Sequence, residues 1–259
     1  MLFLVAVASV VVLSQDAWAG QIADEGFQPS FPIYANGGTG FAGPWIQGGF
    51  NAFASGYTVQ DRSLCYGGLR ASRRGSIAGH AFSAINGAVR TLAQSLGAEN
   101  TTVYVSFLVQ PQGTLNEGIF GGSFGLTLNG SLGNDLFVGK PGGGALEQYV
   151  VETRNGGGQI SSGMPAVVGD TALLVLKAQF LSGHDVFTLY TNPKPRLPEP
   201  AGNVVKTDLD LGTVSRIGIY STGAFTIDEI RIGTTYADVV PTRGAPPEDD
   251  FSGCVEERR

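Results

Sequence analysis

Residues 171–193 read TALLVLKAQFLSGHDVFTLYTNP, and this stretch decides the fold. Leu174, Leu176, Ala178 and Phe180 are apolar at every second position, with Lys177 and Gln179 between them. A period of two places one set on the buried face of a β-strand and the other on the opposite face. Ser182-Gly183-His184-Asp185 interrupts the run with turn-forming residues. β-branched and aromatic residues resume from Val186 to Thr191, and Asn192-Pro193 ends them. The stretch is a long β-hairpin. A hairpin cannot hide its apolar face alone, so a second sheet from the rest of the chain must cover it.

The same pattern recurs in both directions. Residues 103–109 alternate, and residues 120–128, 136–141, 147–153, 214–220 and 225–232 read as further strands, with weaker ones between 58 and 98. Asn129-Gly130 is a hairpin-turn pair. In the last strand Phe225 and Ile227 share one parity and Ile230 and Ile232 the other. A bulge at Asp228-Glu229 would return both pairs to one face. Those two acids are read as structural, because adjacent strand residues point to opposite faces and do not converge on one substrate bond.

Of 259 residues 39 are glycine, and only 15% are charged against roughly 25% in an average soluble domain. With 42% apolar residues this is a glycine-rich globular chain, and one all-β domain of roughly 200–250 residues accounts for it. The net charge is -6 and the pI about 4.9, with no basic cluster larger than Arg70, Arg73 and Arg74. That makes nucleic acid and anionic membrane poor candidate partners, and no nucleic-acid partner is expected.

Residues 2–13, LFLVAVASVVVL, are too short to span a bilayer. Ala17-Trp18-Ala19 follows as a small-x-small cleavage site, so residues 1–19 read as a secretory signal peptide. The mature chain then has no membrane span and is secreted or held in the cell envelope. A domain over 20–240 and a polar tail over 241–259 complete the division. Cys65 and Cys254 are the only cysteines, a candidate disulfide tying tail to body in an exported protein, or else two separate thiols.

Residues 24–57 are rich in glycine and aromatics. Gly38, Gly40 and Gly43 match a dinucleotide fingerprint by count, but Pro44-Trp45 opens no helix after them. Phe41, Trp45 and Tyr57 either cover one end of the core or form a sugar-stacking platform, and they are the candidate ligand residues. Ser76, His80, Ser83 and Asp61 lie close in sequence, but nothing in their spacing marks a triad. Gly133 to Lys140 is one residue too long for a phosphate loop, and Pro141 replaces its magnesium-binding hydroxyl.

With Val105-Ser106-Phe107-Leu108, residues 136–142, VFTLYTNP at 186–193 and residues 227–233 in place, the chain resembles the concanavalin A-like lectin/glucanase superfamily, the laminin-G-like jelly rolls. The resemblance spans about residues 24–240 and implies a two-sheet antiparallel jelly-roll sandwich. It also implies calcium as a cofactor, with Asp135 and Asp185 as candidate ligands and Asp208 and Asp210 as further acids, although each fits a turn-forming role as well. The E-x-D-x-x-E motif of the laminarinase-type members is absent: Glu248-Asp249-Asp250 begins it, but Gly253 stands at its end. Glu147 and Glu152 remain as a carboxylate pair, and their odd separation puts them on opposite faces of a regular strand. The expectation is a non-catalytic carbohydrate-binding or adhesion module whose partner is a polysaccharide or glycoconjugate. The alternatives are a structural envelope or matrix component and a glycoside hydrolase or lyase.

Overall fold

The computed structural model describes residues 20–29, 36–47, 57–70, 75–81, 86–143, 146–154, 158–202 and 204–242. The expected signal peptide, Ser83, the Glu248-Asp249-Asp250 run and Cys254 lie outside the described residues. In chain order the strands are β1 (Gln21–Glu25), β2 (Ile46–Gln47), β3 (Thr58–Gln60), β4 (Ser76–Gly79), β5 (Asn86–Leu96) and β6 (Thr101–Pro111). A short 3-10 turn (Ile119–Gly121) precedes β7 (Phe124–Gly130), β8 (Asp135–Lys140), β9 (Gln148–Arg154) and β10 (Gln159–Pro165). Then come β11 (Ala172–Phe180), β12 (Asp185–Thr191), β13 (Val204–Leu209), β14 (Val214–Ser221), β15 (Phe225–Gly233) and one helical turn, α1 (Tyr236–Val239).

The strands form two antiparallel sheets. Sheet I runs β13-β12-β11-β6-β15-β4-β3, with β1 also pairing β15. Sheet II runs β10-β9-β8-β7-β14-β5-β2. The hairpin of residues 171–193 is β11 and β12, with Leu176 opposite Leu189. Its even residues Leu174, Leu176, Ala178 and Phe180 pack into the core between the sheets, with Val103, Val105, Phe107 and Val109 of β6. Sheet II answers with Phe124, Leu126 and Leu128 of β7, Leu136 and Val138 of β8, and Ile217 and Ile219 of β14.

The bulge in β15 is present. Asp228 faces Leu108 and Arg231 faces Ser106, so β15 carries one residue more than β6 over that interval. Glu229 takes the left-handed backbone (φ 53) that absorbs it, and Phe225, Ile227, Ile230 and Ile232 all reach the core. The turn after β7 differs from its sequence reading. Asn129 still pairs with Asp135 and Gly130 ends the strand, so the reversal falls on residues 131–134, where Gly133 supplies the positive φ.

The outer face of sheet I is not a free surface. Leu173 and Val175, the odd residues of β11, join Tyr104, Leu108 and Tyr190 in a second apolar cluster. Leu64, Leu69, Val239 and Val240 cover it. The Ser106 hydroxyl donates to the Val239 carbonyl at 2.7 Å and fixes α1 in place. The Glu199 carboxylate accepts from the Tyr104, Tyr190 and Lys177 side chains and ties the proline-rich loop down on the same side.

Candidate functional site

Trp45 and Tyr57 do not form a sugar platform; both belong to the core. Trp45 is 1% exposed and Tyr57 5%. Tyr57 packs edge-on against Phe225 and shares a 2.9 Å hydrogen bond with Ser221. The cause of the burial of Trp45 is Arg90 on β5, forty-five residues later. Its guanidinium pairs with Glu25 and donates to the carbonyls of Gly37 and Gly43 and to Asn36 Oδ1. Phe41, half-buried, lies 3.9 Å from the guanidinium carbon, and Trp45 Nε1 donates to Glu25 at 3.3 Å. The aromatic segment is thereby drawn onto the sandwich around one internal ion pair, as the end-cover reading expects.

The candidate metal ligands do not meet. Asp185 is buried and accepts from the Leu181 and Leu211 amides, which makes it a turn anchor. Asp135 lies on sheet II, Asp208 pairs with Lys206, and Asp210 accepts from the Gly212 amide. Among the described residues no group of three or more His, Cys, Asp or Glu side chains gathers where it could hold a metal ion. The donor sets at Asp135 and Asp185 therefore do not fit calcium, which needs several converging oxygens.

Asp228 and Glu229 are buried beneath residues 62–70. Asp228 accepts from the Leu64 and Glu229 amides, while Arg231 pairs with Glu229 and donates to the Arg70 carbonyl. Burial and then the neighbouring Glu229 push the Asp228 carboxyl well above the ordinary carboxylate range. With no path to solvent these acids latch a covering segment to sheet I. Cys65, in that segment, is disulfide-bonded. Ser76 is buried and its hydroxyl donates to the Arg62 carbonyl, away from any nucleophilic role.

The outer face of sheet II is different. Leu128, Leu136, Ile217 and Leu92 point into the core, so their neighbours point out. Across four strand junctions Arg154 faces Asp135, Asp135 faces Asn129, Asn129 faces Arg216 and Arg216 faces Thr91. One row of polar side chains thus crosses five strands. Arg154 and Arg216 stand three strand spacings apart in it, roughly 14 Å.

Beside this row lies an aromatic seat. Phe137 and Tyr220 meet edge to face with centroids 6.2 Å apart. Gly125 and Gly139 make room for the Phe137 ring: a Cβ on either would stand 2.8–2.9 Å from it. The Arg154 guanidinium carbon sits 3.6 Å from the Tyr220 centroid and 4.5 Å from that of Phe137. This is a stacked cation on two ring faces. Unlike Arg90, Arg154 is incompletely satisfied. Its Nε is buried without a hydrogen-bond partner, and its ion pair to Glu152 is long at 3.9 Å. Glu152 instead accepts from Gln159 Nε2 at 2.8 Å. In the same row Asn129 Oδ1 is buried with no donor. One buried donor and one buried acceptor thus lack hydrogen-bond partners on this face, which is unusual for buried polar groups.

A cleft of about 670 Å³ lies at the β9–β10 end of this sheet, lined by Leu115, Leu146, Glu147, Gln148, Pro165 and Val168 among others. Leu146 also packs against Phe137, Val150 and Tyr220, so cleft and face adjoin. Glu147 accepts from Asn116 in the cleft while Glu152 is tied to Gln159 on the face. Five residues of extended chain put their Cα atoms roughly 17 Å apart. Glycoside hydrolysis places its two carboxyl groups at about 5–9.5 Å, so Glu147 and Glu152 do not form that pair.

Neither a protein-family model nor a curated protein sequence matches the chain. Solved structures do. The endo-1,3-beta-glucanase of Streptomyces sioyaensis superposes over 82% of this chain and 95% of its own, with TM-score 0.50 and 6% identity. The fold is the concanavalin A-like jelly roll. The globular domain of T. cruzi calreticulin (TM-score 0.48, 10% identity, 76% of this chain and 86% of its own) is a further similar structure. So is a family 16 glycosyl hydrolase of Mycobacterium smegmatis (TM-score 0.46, 8% identity, 82% and 99%). These likenesses concern the jelly-roll backbone; none of them assigns a residue here.

Phe137, Tyr220 and Arg154 are not marked as site residues by the sequence, and Asn129 reads there only as a turn residue. The available signal was parity: Phe137 lies between two core residues, so an aromatic had to face outward, and Tyr220 follows core Ile219 in the same way.

Proposed function

We propose that the protein is an exported glycan-binding protein and that the outer face of sheet II holds the sugar. The observation that supports this is the row containing Arg154 and Asn129, where the Nε of a stacked guanidinium and an amide oxygen lack hydrogen-bond partners. Sugar hydroxyls both donate and accept, and so can complete both groups at once. The described charged side chains assigned to this face are Arg154 and Arg216 against Asp135 and Glu152, two of each sign. That balance favours a neutral polysaccharide over a polyanion, and it makes binding insensitive to salt.

The test is affinity gel electrophoresis of the mature chain in gels cast with soluble β-glucan, xylan, mannan or polygalacturonate. Retardation by a neutral polymer, unchanged at raised ionic strength, is the expected result. A chain that no polymer retards, but that crosslinks to one protein partner, would be a structural component instead.

A further inference from the structure

Phe120, read in the sequence as the start of a strand, lies instead in the short 3-10 turn before β7. It is 60% exposed, and its backbone sits in the left-handed region (φ 55, ψ 26), which bulky residues avoid. The surroundings hold it there. The Lys140 side chain is fully buried, and its ammonium donates to the Gly121 and Gly122 carbonyls and to Asn116 Oδ1. The Gly143 amide donates to the Phe120 carbonyl at 2.6 Å. Gly118, Gly121 and Gly122 all have positive φ, so the loop closes tightly around the one residue whose side chain pays for the conformation. This ring is exposed on a left-handed backbone and contributes nothing to the core.

The same loop walls the cleft. Leu115 lines it, and Asn116, which accepts from Lys140, donates to Glu147 at the cleft wall. Lys140 therefore fixes both the loop backbone beneath Phe120 and, through Asn116, the Glu147 carboxylate. We propose that Phe120, on the loop that walls this cleft, and Glu147, linked to that loop through Asn116 and Lys140, form a sugar subsite separate from the polar row, in which one pyranose ring stacks on Phe120 and donates hydroxyls to Glu147. An aromatic ring takes the apolar C–H face of a pyranose, and a carboxylate accepts from paired hydroxyls. The inference rests on the glycan-binding reading above and extends the bound chain from the sheet face to the β9–β10 end, where Leu146 joins the two.

The experiment compares wild type, Arg154→Ala, Phe120→Ala and Phe120→Gly by affinity electrophoresis and isothermal titration. The probe is whichever soluble polysaccharide of the panel retards wild type. Phe120→Ala should weaken binding at least tenfold with little change in unfolding midpoint. Phe120→Gly should weaken it equally and raise the midpoint, because glycine relieves the left-handed backbone; a purely structural residue would not give that opposite movement. Affinity within twofold of wild type in both Phe120 variants overturns the subsite, and with Arg154→Ala still weakened it leaves the sheet-face site standing. No retardation of wild type by any polymer removes both.

Discussion

Replacing Trp45 with alanine separates the core role of the aromatic segment from a sugar-stacking one. Trp45 is 1% exposed, touches Phe27 and Phe41, and donates to Glu25. Removing a buried tryptophan side chain costs about 3–5 kcal/mol, and the lost hydrogen bond adds about 1 kcal/mol. A loss of about 4–6 kcal/mol is a large part of the roughly 5–15 kcal/mol that holds a domain folded. For a domain of this size it corresponds to a fall in Tm of roughly 10–20 °C. Trp18 lies in the expected signal peptide, so Trp45 is the single tryptophan of the mature chain and reports on itself. Its emission should be blue-shifted, resist acrylamide and stay unchanged on adding polysaccharide. Melting of the alanine variant is followed by circular dichroism. If it does not fold, Trp45→Phe, with an expected loss of about 1–3 kcal/mol, carries the test. An alanine variant with an unchanged Tm and abolished glycan retention would refute the assignment of Trp45 to the core.

Two further predictions concern charges that the fold uses internally. Burial raises the pKa of Glu199, but hydrogen bonds from Tyr190, Lys177 and Tyr104 outweigh it and hold the carboxyl below its ordinary 4.5. Its contribution to stability is therefore present above about pH 4.5 and is lost as the pH falls through the lower folded-state value. Denaturant melts of wild type and Glu199→Gln should differ at pH 7 and converge at acid pH; a constant gap would contradict the linkage. Lys140→Ala should cost at least about 3 kcal/mol by leaving Asn116 Oδ1 and two backbone carbonyls without their donor. Limited proteolysis should then cut within residues 112–122, and an uncut loop would show that Lys140 is not its lock.

The sandwich was legible because its signal is local. Leu174, Leu176, Ala178 and Phe180 declare a buried face within seven residues, and the parity switch at Asp228-Glu229 announced the bulge that the register shows. The site was not, because distance in sequence hides it. Arg154 and Tyr220 look like ordinary strand residues until the register of β9, β8, β7 and β14 brings them together. Trp45 appeared exposable because nothing near it in sequence shows that Arg90 will draw its segment inward. The Asn129-Gly130 pair pointed to the right hairpin but to the wrong residues, since Gly133 supplies the turn backbone. Fold depends on repeated apolar periodicity, whereas the open polar groups of the site depend on single pairings between distant strands.

The most direct measurement is the affinity of Arg154→Ala for a retained polysaccharide, set beside its Tm. Its guanidinium covers the buried Tyr220 and Phe137 rings on the outer side of sheet II, so truncation should weaken binding at least tenfold, about 1.4 kcal/mol. The shift in Tm should be no more than a few degrees, because the core between the sheets is untouched. An unchanged affinity in a folded Arg154→Ala chain would contradict the placement of the sugar on this face.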